Sequence, residues 1–284
     1  MHGPNIIVRS ISARAATDEH GNPWQYNSRS DHHSAVSCWA ILFDLLRTSS
    51  MLREHVESGE VTFGVNYSML DFKNNKPKKL DLVICTPTAG WDESKPKRSM
   101  EDFAEKHAVV LNDIERAGLR DLPAFHEDAV GAVRLALEAK ACMTAHQKSL
   151  PRLHDELSSS HHTIHGASDS AVAVGLVMVN VATEFRSTIK NNFPLSALPP
   201  KISTHKQPRA ARLVLKKVSQ LPRRTKPGED GFDAFGVIVV NCKNDGSPIE
   251  LIAEDPAPAA GTNFHYDQLI HRAAQAYESR FGSR

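Results

Sequence analysis

Residues 132–142 read AVRLALEAKAC. Val133, Leu135, Leu137, Ala139 and Ala141 share one parity; Arg134, Ala136, Glu138, Lys140 and Cys142 share the other. Alternation with a period of two places each set on its own face of a β-strand. Glu138 and Lys140 therefore project from one face, roughly 6–7 Å apart along the backbone at the usual rise per residue. Alone, such a pair reads as a solvated outer face or an ion pair. Its meaning depends on what the rest of the chain brings to it.

A second strand supplies a second carboxylate. In KLDLVICT, 79–86, Asp81 stands between Leu80 and Leu82 and shares a face with Val83 and Cys85. A carboxylate in an apolar strand is costly unless it is paired or bound to a metal. If the two strands are neighbours, Asp81, Glu138 and Lys140 converge. Two carboxylates with open positions suit Mg²⁺, with Mn²⁺ as a substitute. A lysine beside them can orient or deprotonate an attacking water and balance developing charge. Such a set can hydrolyse a phosphodiester by in-line displacement. The other reading, a non-enzymatic binding module in which the three residues are only ion pairs, stays open at this point.

The spacing predicts the remaining elements. Residues 31–50, starting at Asp31, read as a buried helix that could continue to Gly59. Strands are expected at 61–66, 79–86 and 132–142, the first two joined by the lysine-rich turn NNKPKK. Residues 87–130 interrupt the pattern with a loop and one amphipathic helix at about 99–117. A helix follows at 149–166, with Pro151 at its start. AVAVGLVMVNVA, 171–182, reads as a central buried strand. After an irregular stretch come a basic helix at about 208–220, a hairpin of 235–242 with 248–253 around Asn244-Asp245-Gly246, and a helix at 265–281. Residues 10–31 read as a polar lead-in.

With LDLVI at 80–84 and LEAK at 137–140, the chain resembles the PD-(D/E)XK nuclease superfamily, which includes most type II restriction endonucleases. The resemblance covers about 32–182. It implies an α/β fold with a restriction-endonuclease-like core, a mixed central sheet flanked by helices in the order α-β-β-β-α-β. The hairpin and last helix would be C-terminal additions within a single domain, 1–284. It implies Asp81 and Glu138 as metal ligands, Lys140 as the catalytic lysine, and the carbonyl of Ala139 in the metal shell. Two features depart from the pattern. Leu80 stands where the family name has proline, and the 57-residue interval from Asp81 to Glu138 makes 87–130 an insertion. The implied protein is a Mg²⁺-dependent endonuclease of double-stranded DNA, a restriction enzyme or related defence nuclease, paired as a homodimer to cut both strands. A repair or non-specific nuclease with the same core is the alternative.

Residues 201–226 hold nine Lys and Arg and no Asp or Glu, in a chain of net charge +1. Arg209, Arg212, Lys216, Lys217, Arg223 and Arg224 are candidate phosphate contacts, with Leu213 and Leu215 expected to turn inward. Lys73, Lys76, Lys78 and Lys79 precede Asp81 and are further candidates. His154, His161 and His165 form one stripe on the 149–166 helix, as accessory groups at the cleft or as a zinc site. Aromatic content of 6% without a cluster among the basic residues favours duplex over single-strand stacking.

Four cysteines lie far apart with no C-x-x-C and read as reduced thiols, which points to a cytoplasmic protein. No apolar run reaches the ~18 residues of a membrane helix. The N-terminus MHGPNIIVRS is too polar for a signal peptide.

Overall fold

The strand signals resolve into one six-stranded sheet. The computed structural model describes residues 1–13, 16–71, 75–91, 94 and 96–282, without the side chains of Ala16, Asp71 and Lys76. The elements run α1 (Gly3–Ser12), β1 (Ala16–Thr17), β2 (Pro23–Trp24), α2 (His32–Thr48), α3 (Ser50–Glu57), β3 (Thr62–Asp71), β4 (Lys76–Pro87), α4 (Met100–Lys106) and α5 (Asp113–Arg120). Then follow β5 (Val130–Cys142), α6 (His146–Ala167), β6 (Val172–Asn180), β7 (Glu184–Arg186), β8 (Ile202–Thr204), α7 (Arg209–Val218), β9 (Ala234–Asn241), β10 (Glu250–Ile252) and α8 (Tyr266–Phe281). Among the described residues no single helix is long and apolar enough to cross a membrane.

The sheet order is β10-β9-β6-β5-β4-β3. β3, β4 and β5 form an antiparallel meander; β5, β6 and β9 run parallel. Parallel neighbours need crossovers, supplied by α6 between β5 and β6 and by the α7 segment between β6 and β9. The chain is thus α/β with a mixed central sheet flanked by helices. The segment after 182 extends the sheet, because β9 and β10 continue it beyond β6.

One face of the sheet carries Leu82, Ile84, Leu135 and Leu137 against α1, α2 and α8. The other carries Val83, Cys85 and Ala136 against Leu153, Leu157 and Ile164 of α6 and Ala211, Val214 and Val218 of α7. β6 is buried along its whole length, as expected of a central strand covered on both faces.

Several boundaries differ from the sequence expectation for physical reasons. The N-terminus is helical, and Ile6, Ile7 and Ile11 bury one side of α1. The buried carboxylate of Asp44 accepts hydrogen bonds from the amides of His2 and Gly3 and so ties down the helix start. The expected 99–117 helix is two, each opened by its own capping box, Ser99 with Asp102 and Asn112 with Glu115. α6 starts at His146, so Pro151 lies inside it, in its second turn. The hairpin of β9 and β10 is antiparallel as expected.

Gly175 in β6 sits opposite Glu138. A Cβ there would lie 2.6 Å and 2.7 Å from Phe235 ring carbons and 3.0 Å from Phe232. Gly175→Ala is expected to cost about 1–3 kcal/mol through overpacking, lowering Tm by roughly 4–10 °C in a chain of this size. Thermal melting checks this; an unchanged Tm would show that the rings move aside freely.

Candidate active site

The β4–β5 ladder runs from Pro87↔Val130 to Leu82↔Leu137 and stops there. One step further, Asp81 and Glu138 face the place where the two strands part. The same point is irregular on the other side. β3 pairs with β4 at Val65↔Leu82 and Tyr67↔Leu80 but skips the intervening residues, and Asn66 has the left-handed φ of +55°. Leu80 shares the α6-side core with Val83, so strict alternation breaks at Asp81. The expectation that Asp81 keeps the parity of Val83 and Cys85 is corrected accordingly.

The carboxylate of Asp81 fills the opening. Its Oδ2 accepts a hydrogen bond from the Ala139 amide at 2.9 Å, replacing the ladder partner that Ala139 lacks on that edge. A strand residue presents its N–H and C=O on the same edge, so the Ala139 carbonyl opens toward the same gap.

Glu138 is 1% exposed. Lys140 Nζ lies 2.7 Å from its Oε1 and Lys78 Nζ 4.0 Å from the same atom. Its Oε2 is buried and accepts no hydrogen bond among the described residues. Burial, and then the charge of Asp81, push the Glu138 carboxyl above the usual range. Burial likewise raises Asp81, while Lys140, the Ala139 amide and the Ser34 hydroxyl pull the other way. Burial alone would lower Lys140, but Glu138 and Asp81 outweigh it and hold the ammonium protonated. The structure therefore brings Asp81, Glu138, Lys140 and Ala139 together. It adds Ser34 at the start of α2 and Lys78 on β4. The convergence of Asp81 with the 137–140 motif was legible from pattern; Ser34 carried no signal of its own beyond its place in a helix start.

An open cleft of about 540 Å³ adjoins Ala139 and Lys140. Its walls come from the α2 start, from residues 139–145, from Ser149 to Glu156 of α6 and from residues 185–189. Lys79 is exposed on its rim. Lys78 is turned inward, donating to the Glu156 carbonyl at 3.2 Å.

Other candidates lie elsewhere. Lys73 and the side chain of Lys76 fall outside the described residues. On α7, Arg209 and Lys216 are exposed, Lys217 donates to Gln220 at 3.4 Å, and Arg212 pairs with Asp255. Leu213 does not turn inward. It is 41% exposed, because Ala211, Val214 and Val218 form the packed stripe. Arg223 lies 4.2 Å over the Phe264 ring and donates to the Asn263 carbonyl. Arg224 is 1% exposed and bonds Asp233 at 2.9 Å, Asp169 at 3.1 Å and the carbonyls of Asp169 and Ala171. It holds the segments leading into β6 and β9 together, with four of its five donors taken and the side chain buried, which corrects its assignment as a DNA contact.

The histidine stripe is also not one surface. His161 is fully buried, its ring 5.2 Å from Phe232, and burial first, then His162, drop its pKa to about 3. His165 Nε2 meets the Gly231 carbonyl at 2.9 Å, and His154 lies beside Asp155. His161 and His165 therefore face the residues leading into β9, not the cleft beside Lys140. Among the described residues no three His, Cys, Asp or Glu side chains are grouped so as to hold a metal. A cation at Asp81 and Glu138 would need its other donors from backbone or water. No family model, curated protein or solved structure matches the chain.

Because both carboxyls have raised folded-state pKa values, the fold holds protons on them more tightly than the unfolded chain does. Stability is then greatest below the unfolded carboxylate range near pH 4 and falls as pH rises through the raised values. Glu138→Gln removes the burial and repulsion cost of one charge and leaves Lys140 in the field of the Asp81 charge. At pH 8 the variant is expected to melt at or above the wild-type temperature, the difference shrinking toward pH 4.5. A fall of more than about 4 °C at pH 8, on the order of 1 kcal/mol, would show that the Glu138–Lys140 pair stabilises the fold.

Proposed function

We propose that this chain is a Mg²⁺-dependent nuclease that hydrolyses phosphodiester bonds of double-stranded DNA, built on a restriction-endonuclease-like core. The observation that carries the reading is the dicarboxylate at the parting of β4 and β5, Asp81 half-buried and Glu138 1% exposed, with Glu138 Oε2 unpartnered among the described residues. The element order α2, β3, β4, β5, α6, β6, with its antiparallel meander and one parallel step, resembles the core of the PD-(D/E)XK superfamily.

The residues fit a hard divalent cation: burial raises both carboxyls and the charge of Asp81 raises Glu138 further, one Glu138 oxygen has no hydrogen-bond partner among the described residues, and a backbone carbonyl faces the same gap. Asp81, Glu138 and the Ala139 carbonyl would hold it. When bound, the cation supplies a Lewis acid at the phosphoryl oxygen and lowers the pKa of bound water. The chain's own residues do the rest. Lys140, an ammonium held by Glu138 and Asp81, points its N–H groups where an attacking water and a phosphate oxygen meet. With a cation on those oxygens, its charge and burial would both favour the neutral amine of Lys140. The water oxygen bonds to phosphorus as it gives a proton to that amine, the opposite P–O ester bond breaks, and the leaving oxygen takes a proton from solvent. Cutting both strands favours a two-fold dimer.

The 2.7 Å pair of Glu138 with Lys140 favours one other reading, a binding module whose charges only pair. Incubation with supercoiled plasmid separates the two. Mg²⁺ or Mn²⁺ is expected to support cleavage and EDTA to stop it, with Asp81→Asn, Glu138→Gln and Lys140→Ala each losing about 10²–10³ in rate. EDTA-insensitive cutting, or wild-type cutting by Glu138→Gln, contradicts the nuclease reading.

DNA contact is proposed for Arg209, Lys216 and Lys217 of α7. Replacing the three with alanine should lower the slope of log affinity against log salt by about two to three units on every duplex. Arg224→Ala should instead lose about 1–3 kcal/mol of stability by removing buried hydrogen bonds to Asp233, Asp169 and two carbonyls, with Arg280 still paired to Asp233, and leave the slope of the folded protein unchanged. A slope unaffected by the α7 triple variant would mean that α7 faces solvent or a second subunit.

A further inference from the structure

The cleft beside Lys140 has walls of three chemical kinds. We propose that it is a pocket for one unpaired nucleotide, its base against Tyr26 and its phosphate toward the starts of α2 and α6; this rests on the nuclease reading of Asp81, Glu138 and Lys140.

Size comes first. About 540 Å³ is within the range for one small organic ligand, about 300–1,000 Å³, and far below what a turn of duplex occupies. Phe185, Met143, Cys142 and Leu153 back the cleft but are themselves buried, so the half-buried ring of Tyr26 is the apolar surface a ligand would meet. Tyr26 is fixed in place. Its amide donates to Asn244 Oδ1 at 2.9 Å, and Asn244 Nδ2 donates back to its carbonyl at 2.9 Å. Asn244 holds this clamp in the left-handed region, φ +58°, at 3% exposure. The Tyr26 ring lies 5.0 Å from His33 and 6.3 Å from Phe185. A rigid aromatic wall of this kind takes any base by stacking.

The polar part favours an anion. Arg29, Lys79, Lys140 and Arg152 line the cleft against two carboxylates, Asp31 and Glu156. Two long helices also open there without a cap from the N-cap side chain: α2 after Asp31, its first amide donating to Ser30 Oγ at 3.1 Å, and α6 after Ala145, whose φ is +51°. The first amides of a helix have no partner within it, and phosphate oxygens are suitable acceptors. The cleft is continuous with Lys140, so a phosphate there adjoins the proposed cutting site. A nucleotide already out of the stack has no pairing or stacking to surrender on entry. Gapped, flapped or bulged DNA is therefore the favoured substrate over fully paired duplex.

The test uses the full chain in EDTA, so that nothing is cut. 2′-Deoxyadenosine 5′-monophosphate, 2′-deoxyadenosine and inorganic phosphate are titrated separately by calorimetry. The mononucleotide is expected to bind at least about tenfold tighter than either part alone. Tyr26→Leu and Arg29→Ala should each weaken it about tenfold; Arg29 is exposed, so its variant serves even if Tyr26→Leu does not fold. Glu138→Gln should prefer a duplex with one extrahelical nucleotide to its paired counterpart by a similar factor. Phosphate binding as tightly as the mononucleotide would reduce the cleft to an anion site and overturn the proposal. So would Glu138-dependent plasmid cutting by a protein that shows neither mononucleotide binding nor the duplex preference, which leaves the nuclease reading intact. Mononucleotide binding without cation-dependent cleavage of any DNA upholds the pocket and removes the nuclease reading instead.

Discussion

Two carboxylates, Glu138 buried and Asp81 half-buried, share one opening between two strands. The β4–β5 ladder stops at Leu82↔Leu137, and the next residues on either side are Asp81 and Glu138. Closing the ladder would leave both charges buried and unmatched; leaving it open strands the Ala139 amide. The chain resolves this with Asp81 Oδ2 on that amide and Lys140 on Glu138. One oxygen of Glu138 still has no partner among the described residues. Buried polar atoms in native proteins are nearly always satisfied, and on the proposed reading a bound cation satisfies this one.

The layers around the opening explain how it persists. β6 pairs with β5 through Cys142, past the point where β4 leaves, so Glu138 and Lys140 stay on a rigid strand. α2 covers one face of the sheet, and its first turn delivers Ser34 to Asp81 and His33 to the cleft. α6 covers the other, with Leu153 and Leu157 in the core and Glu156 over Lys78. A charged site gives up stability that the same strands with apolar side chains would keep, and the dry cores on both faces offset it.

The sequence carried the parts that depend on periodicity. The β5 alternation, the β6 apolar run and the Asp81 strand each announce themselves within a dozen residues, and they place the two carboxylates on neighbouring strands. What depends on distant partners was not legible. Arg224 and Arg209 lie in one basic run, yet one is buried on Asp233 and the other is exposed. A run of charges reads the same whichever it faces. α1 hides its apolar side in only a few isoleucines next to polar residues. The split between α4 and α5 rests on two capping boxes inside what reads as one amphipathic stretch. The cleft draws walls from residues 26–34, 139–156 and 185–189, and no local pattern joins those segments.

The central claim is that the opening between β4 and β5 is a cation site. Calorimetric titration of Mn²⁺ into the wild-type chain at pH 7.5, against Asp81→Asn and Glu138→Gln, tests it without any substrate. The expected result is saturable binding by the wild type with proton release, because ligand carboxyls with raised pKa values must give up their protons, and loss of that binding in both variants at unchanged secondary structure. Equal Mn²⁺ binding by all three proteins, or none by the folded wild type, would contradict it.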